Sequence, residues 1–464
     1  MMHYHFIGIG GTGLSAIARV LLERGDCISG SDMLLSPLAQ ELIDVGVRVI
    51  VGHKAENVQG ADMVIRSSAV SDDNVEVVAA RAANIPVLKR KDFLQQLTQN
   101  HQVLAVAGTH GKTTTTAMLA WVLNQLGADP SYIIGGVSKN LHSNAYAGKG
   151  SLFVIEADEY DSMFLGLQPD ILVVTNLEHD HPDYYPSFVE YFKAFQDLIG
   201  CMKAGGKLLL YAGDQGAKKL GEWASDKCAV MLYGEEMHAA YRLADISHQK
   251  DCGVDFHAYL TSGNSDPIAV QLQIPGAHNA LNALATLAVI DQMGYSIPQS
   301  VQALQNFNGT ERRFDIKGEA QGVVVIDDYA HHPTEIRTTL SAARCRYPNR
   351  RIWVVWQPHT YSRTKVLFSE FARSFENCDY LIVSDIYRSR EEKQEYSPQA
   401  LVDAMQHTNV RFIAELADIS AFLLDHLIEG DVLLVLSAGD ADKISKDVLA
   451  SLELRDAKRE NTHG

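Results

Sequence analysis

The segment Ala107-Gly108-Thr109-His110-Gly111-Lys112-Thr113-Thr114 constrains the fold of this chain more than any other. It follows an apolar run, Val103 to Ala107, and precedes a stretch with Met118, Leu119, Val122, Leu123 and Leu126 on one helical face. Strand, glycine-rich turn and helix in that order make a phosphate loop. The glycines let backbone N–H groups converge on anionic oxygens, and the helix N-terminus adds positive potential. Lys112 is expected to neutralise β- and γ-phosphate charge, and Thr113 to offer its hydroxyl to Mg2+. ATP and Mg2+ are therefore the expected ligands, with Mn2+ able to substitute. The loop departs from the standard motif, which wants a glycine where this chain has Val106.

The chain has 464 residues, too many for one ordinary core, and it divides into three α/β blocks. The expected boundaries are 1–99, 100–313 and 314–464. The first block opens with a strand (Tyr4 to Ile9), a glycine-rich turn and a helix carrying Leu14, Ile17, Leu21 and Leu22. Its Gly8-Ile9-Gly10-Gly11-Thr12-Gly13 is a GxGxxG, and Asp32 closes the next strand. Alone, that pattern indicates a dinucleotide, with Asp32 on a ribose hydroxyl, and hence an NAD-dependent oxidoreductase. The same physics serves any pyrophosphate, and hydride transfer has no use for the later phosphate loop. The middle block changes character between Tyr241 and Ile274, where alternation around Gly253 and Ser262-Gly263-Asn264 predicts inserted antiparallel strands. In the last block the runs Val323 to Ile326, Ile352 to Trp356, Tyr380 to Val383 and Val432 to Leu436 predict strands. The charged end, Leu454 to Gly464, is expected to fray.

A formal net charge of -17 argues against nucleic acid or an anionic membrane surface as the main partner. No apolar run is long enough to cross a bilayer, and Met1 to Gly11 lack the features of a signal peptide. The six cysteines form no CxxC pair, so reduced thiols in a cytoplasmic protein are expected.

The shortened loop, GTxGKT, resembles that of the Mur ligases and the related folylpolyglutamate synthetases, and further Mur ligase motifs follow in family order. Glu156-Ala157-Asp158-Glu159-Tyr160-Asp161 and Thr175-Asn176-Leu177-Glu178-His179-Asp180-His181 both end apolar runs, where carboxylates and a histidine can reach a nucleotide-bound metal. The resemblance implies Thr113, Glu156 and His181 as metal ligands. It places Gly108, Thr109, His110, Gly111, Lys112, Thr113, Thr114, Asn176, His278, Asn279, Arg313 and Asp328 around ATP. Arg313 lies in Thr310-Glu311-Arg312-Arg313-Phe314-Asp315 and could clamp phosphate. The first block resembles a UDP-binding domain, which implies Gly10, Gly11, Thr12, Gly13, Asp32, His53, Ser67 and Ser68 for a UDP-sugar. Asp327-Asp328-Tyr329-Ala330-His331-His332-Pro333-Thr334-Glu335 and Gln357-Pro358-His359-Thr360-Tyr361-Ser362-Arg363-Thr364 imply Tyr329, His331, His359 and Arg363 for the incoming amino acid. Ser437-Ala438-Gly439-Asp440 resembles the family's last loop. Lys193 does not align with the carbamylated lysine of some Mur ligases and reads as a helix-surface residue.

The implied fold is a Rossmann-like UDP-binding domain, a central phosphate-loop domain and a C-terminal Rossmann-like domain. The implied reaction is ATP-dependent ligation of L-alanine to UDP-N-acetylmuramate through an acyl phosphate, in peptidoglycan synthesis. Lys112, Arg313, His331, His332 and His359 are its catalytic candidates, and the enzyme would act as a monomer or homodimer. Attachment of a ready-made tripeptide to the same acceptor is the alternative, towards which Tyr160 leans. A non-enzymatic UDP-sugar or nucleotide binder is more remote.

Overall fold

The computed structural model describes residues 1–249, 252–261 and 266–463. Three sheets follow one another along the chain. The first has five parallel strands, in the spatial order Arg48–Val51, Cys27–Asp32, His3–Ile7, Met63–Arg66 and Val87–Lys89. The strand order reverses beside His3–Ile7, and the GxGxxG turn leaves the C-terminal end of that strand, where open α/β sheets bind ligands. Helix Thr12–Glu23 turns Leu14, Ile17, Val20 and Leu21 onto the sheet, a helical stripe that the sequence pattern anticipates.

The second sheet has ten strands. Its centre, Gln102–Ala107, lies between Leu152–Glu156 and Ile171–Val174, all parallel. These strands are buried on both faces, which is why they read as continuous apolar runs rather than alternating ones. The strands Tyr241–His248, Val254–Tyr259 and Ile268–Leu272 are antiparallel to one another as expected, and they continue one edge of this sheet. The turn anticipated at Ser262-Gly263-Asn264 lies outside the described residues.

The third sheet has six strands, five parallel and one, Asp315–Ala320, antiparallel. That strand and Val410–Phe412 were not expected: the first exposes Ile316 and mixes charge with glycine, and the second has three residues. Helix Asp442–His463 runs through most of the charged end. The expectation of reduced thiols fails for one pair. Cys252, beside the strand Val254–Tyr259, is disulfide-bonded to Cys345 near the end of helix Pro333–Arg346. Spacing along the chain cannot reveal a bridge between residues 93 positions apart.

Candidate active site

The phosphate loop takes a shape only glycine tolerates. Gly108 has φ +126°, and a Cβ there would lie 2.1 Å from Thr175 Oγ1 and 2.9 Å from its backbone nitrogen. The Lys112 ammonium donates to the carbonyls of Gly108 (2.5 Å) and Thr109 (3.1 Å) and to Glu159 Oε1 (2.9 Å). Thr113 Oγ1 donates to Glu156 Oε1 (3.0 Å), whose other oxygen accepts from Gly135 N (2.6 Å). Burial raises the Glu156 carboxyl against the pull of Lys112, whereas Lys112 and His181 together outweigh burial and hold Glu159 low. His181 Nε2 faces Glu159 Oε1 at 3.5 Å and Asp180 Oδ2 at 3.7 Å. Glu159 was not singled out from its acidic segment, since a carboxylate's neighbours across the sheet leave no local signal.

A cavity of about 410 Å³ opens beside this loop, between the second and third sheets. His110, Gly111, Thr113, Thr114, Asn176, His278, Asn279, Arg313 and Asp328 line it, so nine expected ATP residues converge there. Gly108, Thr109 and Lys112 are not in the lining. Tyr211, Tyr233, Ile274 and Pro275 supply an apolar end suited to a nucleobase, and Thr338, Thr339 and Ala342 close it from helix Pro333–Arg346. No motif marks these residues except Pro275, which opens the family segment that carries His278 and Asn279. Asp328 does not point freely into the cavity: it accepts from Phe314 N (2.6 Å) and Ala330 N (2.8 Å), and burial pushes its carboxyl up to about 6.

Between the two sheets runs a line of alternating charges. His110 Nδ1 lies 3.2 Å from Glu335 Oε1, and its Nε2 lies 3.3 Å from Glu178 Oε2. Burial opposes a charge on His110, but the two carboxylates prevail and raise it to about 9, so it is an imidazolium at neutral pH. Arg313 Nη1 is 3.6 Å from the same Glu335 oxygen, whereas Arg312 is engaged by Asp327 and the carbonyl of Ser437. Of the two adjacent arginines, Arg313 is the one that faces the cavity.

The amino-acid candidates also come together. The His331 and His359 rings are 5.7 Å apart, and Tyr329 meets His331 at 5.4 Å. Burial pushes His331 and His332 down to about 4, so both are neutral at pH 7. His359 is lowered for the same reason, with His331 and Arg363 adding to it. Arg363 is only 2% exposed: Nε (2.9 Å) and Nη2 (2.6 Å) donate to Asp180 Oδ1, and Nη1 donates to His359 Nδ1 (2.8 Å). It thereby joins the third sheet to the segment that carries His181.

In the first sheet a second cavity, about 460 Å³, is lined by Gly10, Gly11, Asp32, His53 and Ser67. Thr12, Gly13 and Ser68 are not in the lining. Asp32 Oδ2 accepts from Gly10 N at 2.9 Å, so it holds the turn as well as facing the cavity. His53 rests on Ser31 (3.1 Å) and on fully buried Glu76 (3.4 Å), which the facing His5 ring and hydrogen bonds from Ser31 and Asn57 hold down to about 2 against its burial.

Three family models match in order: "Mur ligase family, catalytic domain" over residues 3–102, "Mur ligase middle domain" over 106–290, and "Mur ligase, glutamate ligase domain" over 312–439. The UDP-N-acetylmuramate–L-alanine ligase of Roseiflexus sp. is 39% identical over 97% of this chain and 99% of its own length. That of Myxococcus xanthus is 41% identical over 97% and 94%. The chain belongs to the Mur ligase family. The crystal structure of the UDP-N-acetylmuramate–alanine ligase of Thermotoga maritima superposes with a TM-score of 0.82 at 30% identity, covering 97% of this chain and 99% of that one. A murein peptide ligase from Psychrobacter arcticus gives 0.74 at 25% identity, covering 98% and 99%.

A Mur ligase is an ATP-dependent ligase that forms a carbon–nitrogen bond. The donor set beside the phosphate loop suits Mg2+: a hydroxyl, carboxylates and a histidine converge, and Glu159 Oε2 is buried with no hydrogen-bond partner among the described residues. Lys193 lies exposed on helix Phe188–Gly200 and pairs with Asp197, as a surface lysine does. Among the described residues, no helix is long and apolar enough to cross a membrane.

Proposed function

We propose that this Mur ligase joins L-alanine to the lactyl carboxylate of UDP-N-acetylmuramate, with ATP hydrolysed to ADP and phosphate, as a cytoplasmic step of peptidoglycan synthesis. The carrying observation is end-to-end likeness, at 39–41% identity, to ligases named for that reaction. Division of labour follows the sheets: residues 1–99 hold the UDP-sugar, 100–313 hold ATP and 314–464 present the amino acid, in a monomer or homodimer. Tyr160 lies on the His181 side of the site. Its ring packs on His181 (5.1 Å) and Tyr184 (5.5 Å) under the Arg390 guanidinium, which also pairs with Asp183.

The chemistry follows from charge. A carboxylate is a poor electrophile, so its oxygen first takes the γ-phosphoryl group of ATP, giving an acyl phosphate and ADP. Lys112 and Arg313 offset the charge that spreads over the transferring group. The alanine nitrogen then attacks the acyl carbon, the bond to phosphate breaks, and the ammonium proton passes to an acceptor. Mg2+, held by Thr113, Glu156 and His181, would supply further neutralisation of phosphate charge. Phosphate release with ATP, Mg2+ and UDP-N-acetylmuramate tests the proposal. Release with L-alanine is expected; release only with L-Ala-γ-D-Glu-meso-diaminopimelate would assign the tripeptide reaction instead.

A further inference from the structure

Three histidines stand near the expected amine site, and their hydrogen bonds distinguish them. A neutral imidazole has one N–H and one bare nitrogen, and each is fixed by what its partner can do. His359 Nδ1 faces Arg363 Nη1 at 2.8 Å. A guanidinium only donates, so Nδ1 is the acceptor and His359 carries its proton on Nε2. His332 Nδ1 accepts from Thr334 N at 3.3 Å, so it too carries its proton on Nε2. His331 is the reverse. Its Nδ1 lies 2.9 Å from the carbonyl of Tyr329 and 3.3 Å from Glu335 Oε2, and both groups only accept. Nδ1 is therefore protonated and Nε2 is bare, with no hydrogen-bond partner among the described residues.

Glu335 does more than set this tautomer. Oε2 also accepts from the backbone nitrogens of His331 (3.0 Å) and His332 (3.3 Å), fixing the first turn of helix Pro333–Arg346. Oε1 faces His110 of the phosphate loop and Arg313. One carboxylate thus touches the nucleotide cavity with one oxygen and the amine side with the other.

We propose that His331 Nε2 is the acceptor of the amine proton, and that Glu335 is the positioning residue that orients it and ties it to the phosphate loop through His110. His359, with its proton on Nε2, is a donor and suits the amino-acid carboxylate. The step balances: the alanine ammonium gives one proton to Nε2, the freed lone pair forms the new bond to the acyl carbon, and phosphate departs with the C–O pair and takes up the second nitrogen proton. The inference rests on the ligase reading above and assigns the roles within it.

The test separates acyl-phosphate formation from amide formation. Hydroxylamine is already a free amine near neutral pH and traps an acyl phosphate as a hydroxamate without help from a base. His331→Asn keeps a donor at the Nδ1 position and lacks Nε2. It should form ADP and hydroxamate at close to the wild-type rate while L-alanine ligation falls about a hundredfold. Glu335→Gln should lower ligation about tenfold further in kcat than it lowers hydroxamate formation, with Glu335→Asp recovering part of that difference. Nitrogen-15 spectra should show His331 Nε2 unprotonated in the wild type. Unimpaired ligation by His331→Asn, or equal loss of hydroxamate and ligation in both variants, would overturn the assignment. A wild-type enzyme that ligates neither amine would bring down the functional reading itself, and this inference with it.

Discussion

Lys112 is nearly enclosed, and its charge is held by Glu159 and two loop carbonyls. Internal carboxylates partner three side chains of the loop: Glu159 on Lys112, Glu156 on Thr113, Glu335 and Glu178 on His110. Phosphate must compete with these partners, and Lys112 is the group with most to offer it. Lys112→Ala should lower ADP formation about a thousandfold. Titration calorimetry should find UDP-sugar affinity unchanged within about threefold, since that cavity belongs to another sheet. His110 gives a prediction in pH. Its folded value of about 9 lies above the ordinary 6.5, so its contribution is complete below pH 6.5 and disappears as pH rises through 9. Denaturant melts of wild type and His110→Gln should differ by up to about 3 kcal/mol near pH 6 and converge by about pH 10. A gap that widened with pH would contradict the assignment. Lys112 and Thr113 were legible in the sequence because their roles depend on neighbours a few residues away. Glu335 was legible only as a helix-start residue, because its contacts to His110 and Arg313 arise when two sheets approach.

The elements follow the same division between local and distant causes. Central parallel strands such as Ile171–Val174 are apolar on both faces and announce themselves, and helix Ala277–Gln292 is buried nearly all round. The edge strand Asp315–Ala320 does not, because one side faces solvent and Lys317 and Glu319 interrupt its pattern. The loops between elements carry the chemistry, and Gly108 shows how tightly. Its φ of +126° is strained for any L side chain, and the atoms a Cβ would meet include backbone of Thr175 and Asn176, which cannot swing away. Gly108→Ala should cost about a hundredfold in ADP formation, with KM for ATP rising in step. Gly13, in the first sheet's turn, differs: the nearest atoms a Cβ there would meet are those of the Arg90 guanidinium, the end of a flexible side chain, and φ is ordinary. Its alanine variant should leave KM for ATP unchanged, so comparing that constant in the two variants distinguishes a backbone requirement of the phosphate loop from glycine content.

The whole molecule is joined in two ways. The first and second sheets share one apolar core, in which Phe6, Ile17 and Phe93 pack in the same cluster as Phe153, Phe164 and Phe195. The third sheet has its own cores and meets the second through polar groups: Glu335 with His110, Arg363 with Asp180, Arg390 with Asp183. Polar interfaces of this kind open more readily than shared cores, so the third sheet is the part expected to move. The Cys252–Cys345 disulfide ties it down. Cys345 lies one turn beyond Ala342, which lines the nucleotide cavity, and Cys252 lies beside the strand pair that leads to Ile274 on the opposite wall. Closing a loop of 93 residues stabilises the folded chain by about 4–5 kcal/mol. Under reducing conditions thiol exchange opens such a bridge, so the reduced and the oxidised protein differ in this one constraint. Reduction with dithiothreitol, or Cys345→Ser, should therefore raise the ligand-free radius of gyration and speed ADP release several-fold. Stopped-flow with a fluorescent ADP analogue and small-angle scattering measure the two quantities on the same samples. If both are identical in the oxidised and reduced protein, the polar contacts alone hold the third sheet closed, and the motion that assembles the site must lie between the first sheet and the second.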